Sequence, residues 1–345
     1  MVSMLKAELL RELFRSLDKQ NEHEIHNALR NLIKFERERK NYALANELNE
    51  MIPKRFRRHK DKNRSRTLLN FNIPRDPTRE IPLLDIKSFT IEPKQLIVPL
   101  KIKRDLNQII NQYNKRHVLE IYNLKNISKI LFFGPPGCGK TLSAKLISSQ
   151  LHLPLVYVRF DGLISSYLGE TSANLRQVFD FVSDGDWILF FDEFDVIGKT
   201  RQDMNDNGEM KRVINSFLQQ LDNYEGNAII ICATNFHISL DPAIWRRFDE
   251  MIFFDLPNTE DRIEMFKLFL NKYPHKDIDY EDLSERTSQM SGADIEQICT
   301  RSIKKSVIEE SELTKTDLIN EIKNQKVKNK YKTSFLRNEQ NERKT

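Results

Sequence analysis

The chain has 345 residues, which suggests about two compact units plus linkers at roughly 100–200 residues per domain. Hydrophobic residues make up 39% and charged residues 30%, with a net charge of +5, so there is enough for a core beneath highly charged faces. No apolar run approaches the roughly 20 residues of a membrane-crossing helix, and the opening MVSMLKAELLREL scatters charge among its leucines, unlike a secretory leader. The expectation is a cytoplasmic protein with no membrane partner. Cys138, Cys232 and Cys299 are too few and too scattered for a disulfide framework or a zinc site.

Residues 1–52 read as short amphipathic helices. Leu5, Leu9, Leu13 and Leu17 form one apolar stripe, Ile25, Leu29, Leu32 and Ile33 a second, and Leu44, Ala45, Leu48 and Ile52 a third. No catalytic constellation lies here, and the segment is expected to recruit a partner or substrate. Residues 53–80 read as a basic linker. Its run KRFRRHKDKNRSR (54–66) suits nucleic acid by charge but nearly lacks aromatics for base stacking, so a solvated linker is favoured. Residues 81–128 are a mixed approach segment, with a helix expected over Lys103–Tyr122.

From residue 129 the pattern changes. KILFF (129–133), LVYVR (155–159), WILFF (187–191), AIIICAT (228–234) and MIFF (251–254) are continuous apolar runs of the kind that form strands buried on both faces. Helical stretches at 172–182 and 209–222 separate some of them. Strand–helix alternation predicts a three-layer α/β domain over 81–257, with a parallel five-stranded sheet. A small all-α lid follows over 258–330, and a polar, flexible tail over 331–345.

Gly134-Pro135-Pro136-Gly137-Cys138-Gly139-Lys140-Thr141 matches the G-x-x-x-x-G-K-[ST] phosphate loop without mismatch. Glycines open backbone angles closed to other residues, so amide N–H groups can converge on phosphate. A helix beginning at Lys140 points its positive end at the anion. These eight residues and Leu142 are the expected nucleotide-binding set, with Lys140 on the β and γ phosphates and the Thr141 hydroxyl on Mg2+. One strand–helix module later, WILFFDEFD ends a strand on Asp192 and Glu193. Asp192 is placed to hold the magnesium shell, and Glu193 to take a proton from the attacking water. At the end of the next strand, Asn235 could position that water or contact the γ phosphate. Arg246 and Arg247 follow a Pro-initiated turn, and arginine suits bidentate contact with a γ phosphate.

These four signals, in this order, resemble the AAA ATPases, in particular their classical clade. Three further segments carry the resemblance. DGLISSYLGETSANLRQVF (161–179) looks like the first pore loop, with Tyr167, Leu168 and Gly169 at the substrate-gripping step; KTRQDMNDNGEMKRV (199–213) looks like the second; MSGADIEQIC (290–299) looks like the lid element in which Gly292 and Ala293 approach the nucleotide. Read from the residues alone, Ser291 followed by Asp294 is an S-x-x-D helix start.

The resemblance implies ATP and Mg2+ as cofactors, a homo-oligomer (a hexameric ring), and an arginine finger from the neighbouring subunit, with Arg246 and Arg247 both open. It also implies that turnover drives remodelling, unfolding or threading of a protein substrate through a central pore. A helical segment before one ATPase module looks like prokaryotic single-ring AAA proteins, some of which appear beside subtilisin-like proteases; that makes a protease a candidate partner. The alternatives are a nucleotide switch acting through residues 1–52, or a nucleic-acid-stimulated motor. Residues 80–100 lack the glycine pair that many relatives carry near the adenine. Cys138 is either a tolerated small residue or a thiol activated by positive surroundings.

Overall fold

The computed structural model describes residues 28, 31–36, 41, 44, 45, 48, 72–163, 170–183, 185–194, 208–235, 242–271, 273–275 and 278–342. The first leucine stripe, the basic run 54–66, Tyr167–Gly169 and most of the second pore-loop segment lie outside the described residues. By its internal contacts the chain forms two units. One comprises Met1–Glu92, Asn107–Phe132 and Ser143–Ile252; the other comprises Pro93–Leu106, Phe133–Leu142 and Phe253–Thr345.

The described order is β1 (Leu84–Lys87), α1 (Leu100–Asn114), α2 (Arg116–Ile121), β2 (Lys129–Phe133), α3 (Lys140–Leu151), β3 (Leu155–Val158), α4 (Phe160–Leu163), α5 (Glu170–Ser183), β4 (Ile188–Phe191), α6 (Gly208–Asp222), β5 (Ile229–Thr234), α7 (Pro242–Trp245), β6 (Glu250–Phe253), α8 (Thr259–Leu270), α9 (Tyr280–Arg286), α10 (Gly292–Ile308) and α11 (Lys315–Glu342). The five expected strands all form. The sheet has a sixth, β1, in the order β1-β3-β4-β5-β2-β6. β3, β4 and β5 run parallel, with Leu155 opposite Ile188 and Ile188 opposite Ile229. β1 is antiparallel to β3 and pairs Leu84 with Val158. Only Leu84 and Ile86 of β1 are buried, the alternation of a strand covered on one face, whereas every residue of β4 and β5 is buried.

The core of the first unit is aromatic. Phe191 packs edge-on against Phe217 at 5.3 Å between ring centroids, and Phe194 meets Phe217 at 4.8 Å. Offset and edge-to-face pairs of this kind add about 0.5–1.5 kcal/mol beyond the area they bury. In the N-terminal segment residues 31–36 are helical, and Ile33, Ala45 and Leu48 pack together, joining the second apolar stripe to the third.

Residues 72–80, read from composition as linker, are structured. Asp76 is fully buried; its carboxylate accepts the Asn174 amide at 2.8 Å from α5 and the backbone N–H of Arg79 at 2.7 Å. The Arg79 N–H foremost, with Asn174 and Thr78, outweighs the opposing effect of burial and holds the Asp76 carboxyl near 2.

The second unit contains a helical core of Phe266, Leu270, Leu283, Ile295, Ile298, Cys299, Leu318 and Ile322. Its helices start on strong caps. Asn258 and Asp261 form a reciprocal capping box on α8, Ser291 and Asp294 another on α10, and Asp279 caps α9. The S-x-x-D reading is thus realised at α10. α11 continues to Glu342, so residues 331–342, expected as a loose tail, are helical.

Candidate nucleotide site

β2 leads into the glycine loop, and α3 starts at Lys140. Gly134, Gly137 and Gly139 have φ of 134°, 76° and 96°, conformations that L side chains rarely adopt. Close neighbours reinforce the demand. A Cβ on Gly134 would collide with the Phe254 carbonyl oxygen, and one on Gly137 would lie 2.7 Å from Ser291 Oγ and 2.8 Å from Ala293 Cβ. Lys140 is buried, and its Nζ donates to the carbonyls of Gly134 and Pro135, each at 2.7 Å. Its ammonium therefore lies within the loop, while the first turn of α3 carries N–H groups with no intrahelical acceptor. This donor set fits a polyphosphate.

The lid element meets this loop directly. The Ala293 N–H donates to Gly137 O at 3.1 Å, and Gly292 approaches the same carbonyl. Gly292 and Ala293 thus lie beside the loop. Ser291 Oγ donates to Asp294 Oδ2 at 2.8 Å, and Gln325 Nε2 donates to Asp294 Oδ1 at 2.7 Å. Burial raises the Asp294 carboxyl, but these hydrogen bonds prevail and hold it below the usual value. Pro135, Thr141 and Leu142 are half-buried and Pro136 is exposed.

Cys138 is buried, and its Sγ lies 3.8 Å from Pro136 O. Burial pushes the thiol up to about 11, against the smaller downward pull of Lys140. This burial favours the tolerated-residue reading over the activated thiol.

Two residues here escaped the sequence reading. Leu96 and Val98, both buried, line the loop at Gly139, where a Cβ would meet them at 3.4 and 3.5 Å. The signal was the short run QLIVPL, apolar and closed by Pro99.

In the other unit, β4 and β5 lie in register with Phe191 opposite Cys232, so Asp192 and Asn235 sit just past the ends of adjacent parallel strands. Asp192 and Asn235 are half-buried, whereas Glu193 is exposed. Glu193 has a φ of 55° and its N–H donates to Asp192 Oδ1 at 3.1 Å. A non-glycine residue in this region costs roughly 1–2 kcal/mol. The next residue holds it there: the Phe194 N–H donates to Ala233 O at 2.8 Å, and its ring is fully buried.

Arg247 is held within its own chain. Nε reaches Asp222 Oδ1 at 3.3 Å, and Nη1 donates to Ala243 O at 2.9 Å. Arg246 is exposed, and among the described residues no hydrogen bond or ion pair holds its side chain.

A glycine phosphate loop on a parallel α/β sheet, followed by a capped helical lid, defines a P-loop nucleotide-binding protein. Residues 130–256 match the family model described as "ATPase family associated with various cellular activities (AAA)", and residues 277–320 match the AAA+ lid domain. The chain thus carries stretches similar to an AAA ATPase domain and its lid. It is 43% identical over 206 residues to an uncharacterized AAA family ATPase of Sinorhizobium fredii, a match covering 60% of this chain and 62% of that protein. It is 35% identical over 220 residues to a putative cell division cycle ATPase of Plasmodium falciparum, covering 62% of this chain and 17% of the relative. The chain thus spans less than two thirds of either relative. Among the described residues no helix is long and apolar enough to cross a membrane.

Proposed function

We propose that this chain hydrolyses ATP in a homo-oligomeric ring, a hexamer, and couples turnover to remodelling or threading a protein substrate. The observation that carries the nucleotide reading is the glycine loop itself. It holds three positive-φ glycines, two of its carbonyls, Gly134 O and Pro135 O, accept from the Lys140 ammonium, and the Ala293 N–H of the lid donates to Gly137 O.

The expected site residues take these roles. Lys140 and the backbone of Gly134–Leu142 bind the β and γ phosphates. Thr141 and Asp192 are hard oxygen donors that would hold Mg2+. A Mg2+ ion held there would supply charge neutralisation to the phosphates. Glu193, exposed at its turn, takes the proton of the attacking water, worth about 10²–10⁴ in rate. Asn235 orients that water. Tyr167, Leu168 and Gly169 grip the substrate, and residues 1–52 select it. A protease working alongside and a cytoplasmic location belong to the same proposal.

Of the two arginines, Arg246 of the neighbouring subunit is the proposed finger, because Arg247 is engaged by Asp222. Exposed apolar side chains at Val118, Ile121, Tyr122 and Leu124, on and just beyond α2, support an oligomer.

The test is ATP turnover against protein concentration for wild type, Arg246→Ala and Arg247→Ala, with mass by light scattering. The ring reading predicts turnover per subunit that rises as the oligomer forms. It also predicts that Arg246→Ala binds ATP but loses about 10³–10⁵ in rate, with a smaller loss for Arg247→Ala. Concentration-independent turnover and an unaffected Arg246→Ala would favour the monomeric nucleotide switch.

A further inference from the structure

The lid carries a lysine-rich helical face on its surface that, among the described residues, no acid pairs with. The rotation of α11 about its axis is fixed by its inner side. Leu318 and Ile322 enter the lid core, and Gln325 donates to Asp294 and accepts from Arg301 Nη1 at 2.9 Å. At 100° per residue, the opposite side carries Val327 and Tyr331, which are 53% and 71% exposed. Lys323, Lys326 and Lys330 run along one flank of that pair and Lys328 along the other, all exposed.

Two facts separate this face from an ordinary solvated one. Elsewhere in the lid four cations are paired with acids: Lys267 with Glu264, Arg286 with Asp282, Lys305 with Asp317, and Lys315 with Asp279 and Asp282. The sequence has no Asp or Glu between Glu321 and Glu339, and among the described residues no ion pair reaches Lys323, Lys326, Lys328 or Lys330. Lys323 and Lys326 are three residues apart, Lys326 and Lys330 four, so like charges stack along one flank and weaken the helix. A partner with closely spaced negative charges would relieve that repulsion.

We propose that this face of α11 binds single-stranded nucleic acid, with the lysines on phosphates and a base stacked on Tyr331. The exposed tyrosine, flanked by a row of three lysines and by Lys328, matches the pairing of aromatic platform and basic track used on single strands. An anionic membrane suits it less. The exposed apolar surface here is Val327 and Tyr331, far short of the broad apolar face of an interfacial helix.

The experiment is fluorescence anisotropy of a labelled oligothymidylate with the full chain, between about 50 and 200 mM salt. Phosphatidylserine vesicles, polyglutamate and a duplex of equal length serve as rivals. The expected result is salt-sensitive binding to the oligothymidylate. Lys326→Glu/Lys330→Glu should weaken it more than tenfold and lower the salt slope by about 1.4, at about 0.7 per phosphate contact on a single strand. Lys326→Gln/Lys330→Gln should lower the slope equally, and Tyr331→Ala should weaken binding with the slope unchanged. Melting temperatures no lower than that of the wild type, with unchanged basal ATP turnover, would show that the fold is intact. The proposal is overturned if the variants bind as wild type does, which would assign any binding to the 54–66 run. It is also overturned if the oligothymidylate does not bind, or if a rival ligand binds more tightly through the same lysines.

Discussion

The glycine loop at 134–139 and the acidic turn at 192–194 both hold backbone in the left-handed region, by opposite means. The loop uses residues that enter it freely, at Gly134, Gly137 and Gly139. The turn forces a glutamate there, at φ 55°, and relies on its neighbour to hold it. Phe194 supplies that restraint through one hydrogen bond to Ala233 and a ring buried against Phe191 and Phe217. Where only main-chain N–H groups are needed, glycine serves. Where a carboxylate must be presented, the chain tolerates strain and anchors it with an aromatic core. Strained backbone of this kind gathers at functional sites.

The comparison predicts different failures in the two regions. Phe194→Ala removes a fully buried ring and the anchor of the turn. It should destabilise by about 3–5 kcal/mol in denaturant titration, with lost turnover even where the fold survives. Gly134→Ala drives a Cβ into the Phe254 carbonyl at a φ of 134°. Overpacking and strain together should cost about 3 kcal/mol, read the same way, and the loop should lose nucleotide affinity. Glu193→Asn should instead raise stability by a few tenths to about 1 kcal/mol, because asparagine tolerates this conformation better, while hydrolysis is lost. A neutral or destabilising result would remove the strain argument.

The smallest effect expected is at Cys138. With its thiol raised to about 11, only roughly one molecule in 10⁴ is thiolate at pH 7. Iodoacetamide should label it slowly, and the rate should rise about tenfold per pH unit up to pH 10. Rapid labelling at pH 7 would contradict the burial account.

How much was legible follows from the same physics. β2, β3, β4, β5 and β6 could be read because strands buried on both faces make continuous apolar runs. β1 could not, since LDIK is covered on one face only and lies among prolines. The phosphate loop is a contiguous motif and was fully readable, but the Gly137–Ala293 contact that places the lid on it spans residues far apart in sequence. The Asp76–Asn174 hydrogen bond hid a structured segment for the same reason: a basic, proline-bearing stretch looks like linker until its distant partner is known. α11 beyond residue 330 lacked an apolar stripe and so read as tail. The acids Asp192 and Glu193 were legible because an apolar strand runs straight into them; the backbone strain at Glu193 left no local signal.

The central claim is that the loop binds the nucleotide and Glu193 activates water, as separable tasks. Single-turnover hydrolysis and equilibrium binding of a fluorescent ATP analogue, compared between wild type and Glu193→Gln, test it most directly. The account predicts affinity within about twofold of wild type and hydrolysis slowed about 10²–10⁴-fold. Wild-type hydrolysis by Glu193→Gln, or loss of binding with the fold intact, would contradict it.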